Sequence, residues 1–278
     1  MICSKELLTP RELSLRDFRK ILPKLIPDSN TLLVSDFDET LCSSYQYNAD
    51  TKTHIPVLKP ELVAEATRMR SPFIIATSRS AKEPVVRDIC TQMVQEGAPM
   101  ICENGAVIFF PTTGNSVTLV RNEQRQLLDD IGSYITSIQT TYLDRGKEVL
   151  IAKDRVATME LRAQELSGIG APELYPGIIE DIYRTFYMDG MEIVSSNNSV
   201  CIQPNNISKG NALKIALDMM GLGRESFFVV GLGDAPNDQS IFKNSNLSVA
   251  VRPHAKDFAD YFVNSGDETS LTVMRSLK

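Results

Sequence analysis

Along the chain, short uninterrupted apolar runs alternate with longer stretches in which apolar positions recur every three or four residues. The runs 31–36 (TLLVSD), 72–78 (PFIIATS), 226–234 (SFFVVGLGD) and 247–251 (LSVAV) are five to nine residues each and of mainly apolar character. Runs of that texture predict strands buried on both faces. Between them the spacing predicts helices over 11–22, opened by Thr9 and Pro10 and closed by Pro23 and Pro27, and over 59–70, 81–95, 209–222, 236–245 and 254–263. Residues 43–56 read as a polar loop, and 99–110 as strand, Asn104-Gly105 turn, strand. Strands alternating with helices give an α/β class with a parallel sheet and helices on both faces.

The texture changes after Pro111. Residues 122–143 place Leu127, Leu128, Ile131, Tyr134, Ile135 and Ile138 on one helical face, and 147–161 read as two strands around Lys153-Asp154-Arg155. The order then repeats: a helix over 172–188, aligning Ile178, Ile179, Ile182, Tyr183 and Phe186, and a strand pair around Asn197-Asn198. Two αββ units predict an inserted α+β module in which two hairpins share one antiparallel sheet and both helices cover one face. The expected division is a helical N-terminal extension, 1–30, a main domain of 31–111 with 200–278, and an inserted module of 112–199.

Parallel sheets of this class place their sites at the carboxyl ends of the strands. Four polar groups fall there: Asp36 and Asp38, Thr77-Ser78-Arg79, Lys209, and Asp234, Asn237 and Asp238 in GDAPND. Crowded carboxylates raise one another's pKa unless a cation is present, and an all-oxygen, acid-rich set suits Mg²⁺ with a substrate phosphate. One Asp can then attack phosphorus, and a carboxyl two residues on can protonate the leaving oxygen and later activate water. The Thr77 hydroxyl, loop N–H groups and the Lys209 ammonium would complement the phosphoryl oxygens.

Composition narrows the partners. A formal charge of −6 argues against nucleic acid. No apolar stretch approaches a membrane span, and the N-terminus has no signal-peptide pattern. Five widely spaced cysteines, Cys3, Cys42, Cys90, Cys102 and Cys201, fit reduced thiols in a cytoplasmic protein.

In order, DFDET, the Thr of IATSRS, Lys209 in SKGNAL, and GDAPND resemble the four motifs of the haloacid dehalogenase (HAD) phosphatases. The resemblance spans about residues 31–266. It implies a Rossmann-like HAD core and Asp36 as nucleophile, with Asp38 as general acid/base. Thr77, Ser78, Lys209 and Asn237 would bind the phosphate or position it. Mg²⁺ would be held by Asp36, Asp38 (through its carbonyl), Asp234 and Asp238. Arg79 and Asn104 would face the substrate. The αββαββ insert is similar to the C2 cap of subclass IIB, which includes Cof-type and mannosyl-3-phosphoglycerate phosphatases. Glu39 departs from the pattern, standing where relatives carry Gly. The implied activity is Mg²⁺-dependent hydrolysis of a small phosphorylated sugar or sugar-acid conjugate, by a monomer or small homo-oligomer.

Local alternatives stand beside each residue. Asp36 and Asp38, or Thr77 and Ser78, could be helix or turn caps. Arg79 could be a core ion pair, Asn104-Gly105 a plain hairpin turn, and Cys42 a packed inert thiol. At the level of the whole chain the competitors are a phosphomutase of the same fold and a non-catalytic sugar-phosphate-binding protein.

Overall fold

A computed structural model describes residues 10–277 apart from 28–29, 49–52, 153, 168 and 196–198. Cys3, Thr9, Lys153 and the Asn197-Asn198 turn lie outside the described residues. Contacts divide the chain into two compact units, one running to Val117 and resuming at Ser208, the other Thr118–Ile207.

The larger unit is built on a parallel sheet. Its strands run, in spatial order, Arg11–Glu12, Tyr261–Phe262, Leu247–Ala250, Phe228–Gly233, Thr31–Ser35 and Phe73–Ile75. The central strands are apolar and buried along their whole length because both faces are covered. The helices Leu15–Leu25 and Pro60–Arg68 pack against Gly266–Ser276, while Lys209–Met219 packs against Gln239–Lys243. A parallel bridge from Ala76 to Ile101 carries the pairing onward to the hairpin Met100–Cys102 and Val107–Phe110, which Asn115–Thr118 extends.

Several expectations change here. The N-terminal segment is not a free extension: Arg11–Glu12 pairs with Tyr261–Phe262, and the helix begins only at Leu15, capped by the Ser14 hydroxyl. Phe18 and Leu22 are fully buried. Pro23 lies inside that helix rather than ending it, since only one hydrogen bond is lost, on an exposed turn two residues from the end. Within the stretch expected to be a polar loop, Tyr45–Asn48 pairs antiparallel with Thr53–Pro56. The 81–95 segment is an irregular helix of one π turn, Val85–Ile89, and one 3₁₀ turn. The helix expected over 254–263 is a 3₁₀ segment, Pro253–Phe258, followed by strand.

The second unit is one antiparallel sheet ordered Met191–Ser195, Val200–Pro204, Met159–Glu165, Lys147–Ile151. Val149, Met159, Leu161, Ala163, Met191, Val200 and Ile202 bury one face against Leu128, Ile131 and Ile135 of helix Asn122–Leu143 and Tyr175, Ile178 and Ile182 of helix Tyr175–Thr185. Tyr183, expected in that stripe, is exposed. The sequence-based limits of 112 and 199 miss the edges: Asn115–Thr118 completes the preceding hairpin sheet, and Val200–Pro204 pairs with two strands of this unit. The opposite sheet face is polar, with Glu160 buried between Arg155 and Arg162. Among the described residues, no helix is long and apolar enough to cross a membrane.

Candidate active site

The chain leaves three adjacent parallel strands at Asp36, Thr77 and Asp234. Register explains why they meet: Ser35 lies beside both Leu232 and Ile75, so the residues after each strand emerge at one end of the sheet. The Asp36 N–H donates to the Leu232 carbonyl, and the Ser35 hydroxyl donates to the Asp36 carbonyl, fixing the first acid's backbone.

Lys209 closes the group. It is the first residue of a helix capped by the Ser208 hydroxyl, an unfavourable place for a cation with respect to the helix dipole. Its side chain is buried and its Nζ donates to Asp36 Oδ1 at 2.5 Å and to Asp238 Oδ1 at 2.7 Å. The other Asp238 oxygen accepts from the backbone N–H groups of Asp234 and Ala235 at 3.0 and 3.1 Å, and so shapes the loop that carries Asp234. Thr40, fully buried, directs its hydroxyl to Asp234 Oδ1.

Two of the three carboxylates, Asp36 and Asp238, thus share the Lys209 ammonium. One oxygen from each of Asp36, Asp234 and Asp238 lies within 4.8 Å of the others. Burial and the neighbouring acids push Asp36 well above the usual carboxylate range. Burial and Asp238 push Asp234 up to about 7. Lys209 moves above its ordinary value because Asp238 and Asp36 hold its proton more strongly than burial expels it. Beside the cluster, Asn237 donates to Asn104 Oδ1, while its own Oδ1 is buried and finds no partner among the described residues. An acid set two charges short of neutrality, next to an orphaned acceptor, fits a divalent cation with oxygen ligands.

Asp38 stands apart from that cluster. Arg79 holds its carboxylate in a two-pronged pair, Nε to Oδ2 at 2.8 Å and Nη2 to Oδ1 at 2.7 Å, and the Tyr45 hydroxyl adds a third donor at 3.1 Å. The Arg79 Nη1 reaches Glu83 at 3.0 Å, and the guanidinium lies over the Phe37 ring. The expected metal ligand Asp38 therefore contributes no carboxylate to the acidic group. Arg79, expected to face substrate, is here in the ion pair that was its alternative reading.

Thr77 is fully buried; its Oγ1 accepts from the Arg79 N–H at 3.1 Å, and Ser78 is half-buried on the same loop. The Asn104 loop is sewn to it, Asn104 N–H to the Thr77 carbonyl and Glu103 N–H to the Arg79 carbonyl. This connection is not a two-residue turn: Glu103, Asn104 and Gly105 all have positive φ. At Gly105, φ is +105° and a Cβ would lie 2.3 Å from the Ser208 carbonyl oxygen. The glycine lets this loop touch the start of the Lys209 helix. Gly105→Ala is expected to cost about 1–3 kcal/mol or more through overpacking and backbone strain, read as a lowered urea midpoint with an unchanged slope.

Glu39 also has positive φ, +58°, which accounts for the glycine of the resembling motif. Here its carboxylate pairs with Arg252 at 2.7 Å, and its N–H donates to the Cys42 carbonyl. Tyr45, Glu83, Arg252 and Thr40 had no assigned role in the sequence reading. Only Thr40 carried a signal, as the last residue of DFDET. Cys42 is buried, its thiol pushed up by burial and directed at the Ser44 carbonyl, as an inert packed thiol. Cys42 and Cys90 are free thiols.

The sequence profile of the haloacid dehalogenase-like hydrolases matches residues 169–273. A phosphoglycolate phosphatase of Archaeoglobus fulgidus is 23% identical over 204 residues, covering 72% of this chain and 79% of its own. Another, of Sulfurisphaera tokodaii, is 22% identical over 256 residues, covering 89% and 92%. Among solved structures, the trehalose-6-phosphate phosphatase C-terminal domain of C. albicans superposes with a TM-score of 0.66 at 17% identity, over 97% of this chain and 98% of that one.

Proposed function

We propose that the chain, which matches the profile of the haloacid dehalogenase-like hydrolases over residues 169–273 and is similar to phosphatases, is a phosphatase of that family and hydrolyses a small phosphorylated sugar or sugar acid by way of an aspartyl-phosphate on Asp36. The observation that carries this reading is the cluster of Asp36, Asp234 and Asp238 at the carboxyl end of the parallel sheet, with Asp36 and Asp238 buried on Lys209 and Asp234 half-buried beside them. In it, Asp36 both follows the strand Thr31–Ser35 directly and shares Lys209 with Asp238, which holds its free oxygen in one orientation. Asp36 attacks phosphorus, Thr77 and Lys209 balance charge on the phosphoryl oxygens, and Asp38 gives a proton to the leaving oxygen. Water then attacks the phosphoenzyme and returns a proton to Asp38. Asp36, Asp234, Asp238 and the Asp38 carbonyl would hold Mg²⁺, whose charge offsets the repulsion between a carboxylate and a phosphate dianion. The inserted unit is read as a C2-type cap of the Cof-like subclass, and the setting as cytoplasmic.

The test is release of inorganic phosphate from a panel of sugar phosphates and phosphorylated acids, with Mg²⁺ and with chelator. Turnover of members of that panel, lost on chelation, is expected. Hydrolysis of nucleotides or phosphoproteins alone would remove the substrate class, and activity indifferent to chelation would remove the metal.

The same acids set a pH dependence. A carboxyl with a folded-state pKa raised above its ordinary value stabilises the fold below that ordinary value and loses the contribution as pH rises through the folded one. With Asp234 at about 7 and Asp36 also raised, the chelated protein is expected to become less stable between about pH 4 and pH 7. Mg²⁺ should flatten that fall, adding about 2.7 kcal/mol at a hundred times its Kd. Thermal melts across pH, with and without the ion, give the answer.

A further inference from the structure

Asp38 is needed free at the leaving oxygen, yet both of its oxygens are occupied. Arg79 takes Oδ2 through Nε and Oδ1 through Nη2, and Tyr45 adds to Oδ1. A carboxyl so engaged turns neither oxygen toward a leaving group. The pair is also the open part of the site: the Asp38 and Arg79 side chains are 30% and 19% exposed, against 7%, 1% and 0% for Asp36, Lys209 and Asp238. The portion of a substrate beyond its phosphate therefore meets this pair first.

Arg79 is built to exchange partners without moving its base. Its N–H is fixed by the Thr77 hydroxyl oxygen, its carbonyl by the Glu103 N–H, and its Nη1 by Glu83, whose other oxygen accepts from the Ser80 N–H at 3.0 Å. Releasing Asp38 leaves those anchors intact. What can replace Asp38 is set by the fork itself. A planar guanidinium paired to a carboxylate through two charge-assisted hydrogen bonds gives it up cheaply only to another planar anion. A sugar hydroxyl offers one neutral acceptor and would leave half the fork and its charge unmatched.

Resting on the phosphatase reading, we infer that Arg79 is a positioning residue whose fork passes from Asp38 to a carboxylate on the leaving group. The substrate is then a phosphate monoester whose leaving group carries a carboxylate. As the Asp36–phosphorus bond forms and the ester P–O bond breaks, the electron pair stays on the leaving oxygen, which takes a proton that Asp38, once unpaired from Arg79, has accepted from solvent water. Water then cleaves the phosphoenzyme at phosphorus, its proton going to Asp38, which returns it to solvent when Arg79 takes the carboxylate back, so the inventory closes each cycle. Because the carboxylate frees the acid as well as binding, discrimination falls on kcat rather than on KM alone.

Three probes with Mg²⁺ test this in the wild type, Arg79→Gln and Arg79→Lys: phosphoglycolate, ethyl phosphate, which has the same length and no carboxylate, and p-nitrophenyl phosphate, whose leaving group needs no proton. In the wild type, kcat on phosphoglycolate should exceed that on ethyl phosphate by about 100-fold, the scale of general acid catalysis. Arg79→Gln should cut that ratio to about 5 or less, the fall on phosphoglycolate exceeding any change on ethyl phosphate or p-nitrophenyl phosphate. Arg79→Lys should keep part of the preference, and its retained charge and stem guard against a folding defect, checked by circular dichroism. Equal kcat on the two short esters in the wild type would overturn the exchange, as would loss by the same factor on all three probes in Arg79→Gln. Hydrolysis of p-nitrophenyl phosphate without carboxylate preference sinks only the exchange; failure of the wild type on every probe sinks the phosphatase reading with it.

Discussion

Asp36→Asn should abolish turnover, lowering kcat by about 10⁴-fold or more, while the protein melts no lower than the wild type in chelator. The two halves come from one geometry. Asn cannot form the acyl phosphate, so the covalent route through Asp36 ends. Yet its amide oxygen still accepts from Lys209, and the change removes a buried acid whose carboxyl is held well above its ordinary range by burial and the neighbouring acids. The measurement pairs phosphate release with a melting curve in EDTA. Activity within tenfold of the wild type would refute Asp36 as nucleophile. A large fall in the melting temperature would mean that the carboxylate is needed for folding.

Replacement of Lys209 should act in the opposite sense, on the fold before the chemistry. Its side chain is 1% exposed and touches both Asp36 and Asp238. Removing one partner of a buried ion pair costs about 3–5 kcal/mol, because the remaining charges stay buried and unmatched. Lys209→Met is expected to lose that much in urea denaturation at neutral pH with chelator present. Adding Asp238→Asn should recover part of the loss, since the double variant buries one acid fewer; the cycle measures the coupling directly. If the single change costs under about 1 kcal/mol, in the range of a surface pair, Lys209 does not balance the acids.

Legibility in the sequence followed how far each signal was local. The helix 122–143 was read to its ends because its apolar stripe packs on one sheet face and its other side meets water. The helix Gly266–Ser276 was missed because Asp267, Thr269, Ser270 and Thr272 are buried alongside Leu271, Val273 and Met274, which erases the amphipathic period. The paired strands Tyr45–Asn48 and Thr53–Pro56 carry polar residues at most positions, so no alternation marked them. The acids were legible since a carboxylate directly after an apolar strand has few structural uses. What the sequence could not supply was pairing across space: Asp38 with Arg79, 41 residues on, or Lys209 with Asp36, 173 residues back. Glu39 shows the converse, a residue whose departure from a motif becomes intelligible only through its φ of +58° and its Arg252 partner.

The pairing of Arg11–Glu12 with Tyr261–Phe262 has a consequence for solubility. Without it, Tyr261 and Phe262 would form the outermost rung of the sheet, an aromatic ribbon with open amides of the kind that templates intermolecular β-stacking. The strand that covers them is two residues long and consists of one cation and one anion, too short and too charged to recruit a stranger in turn. The Arg11–Glu12 strand thus works as a plug, and its removal is expected to make that edge prone to clumping.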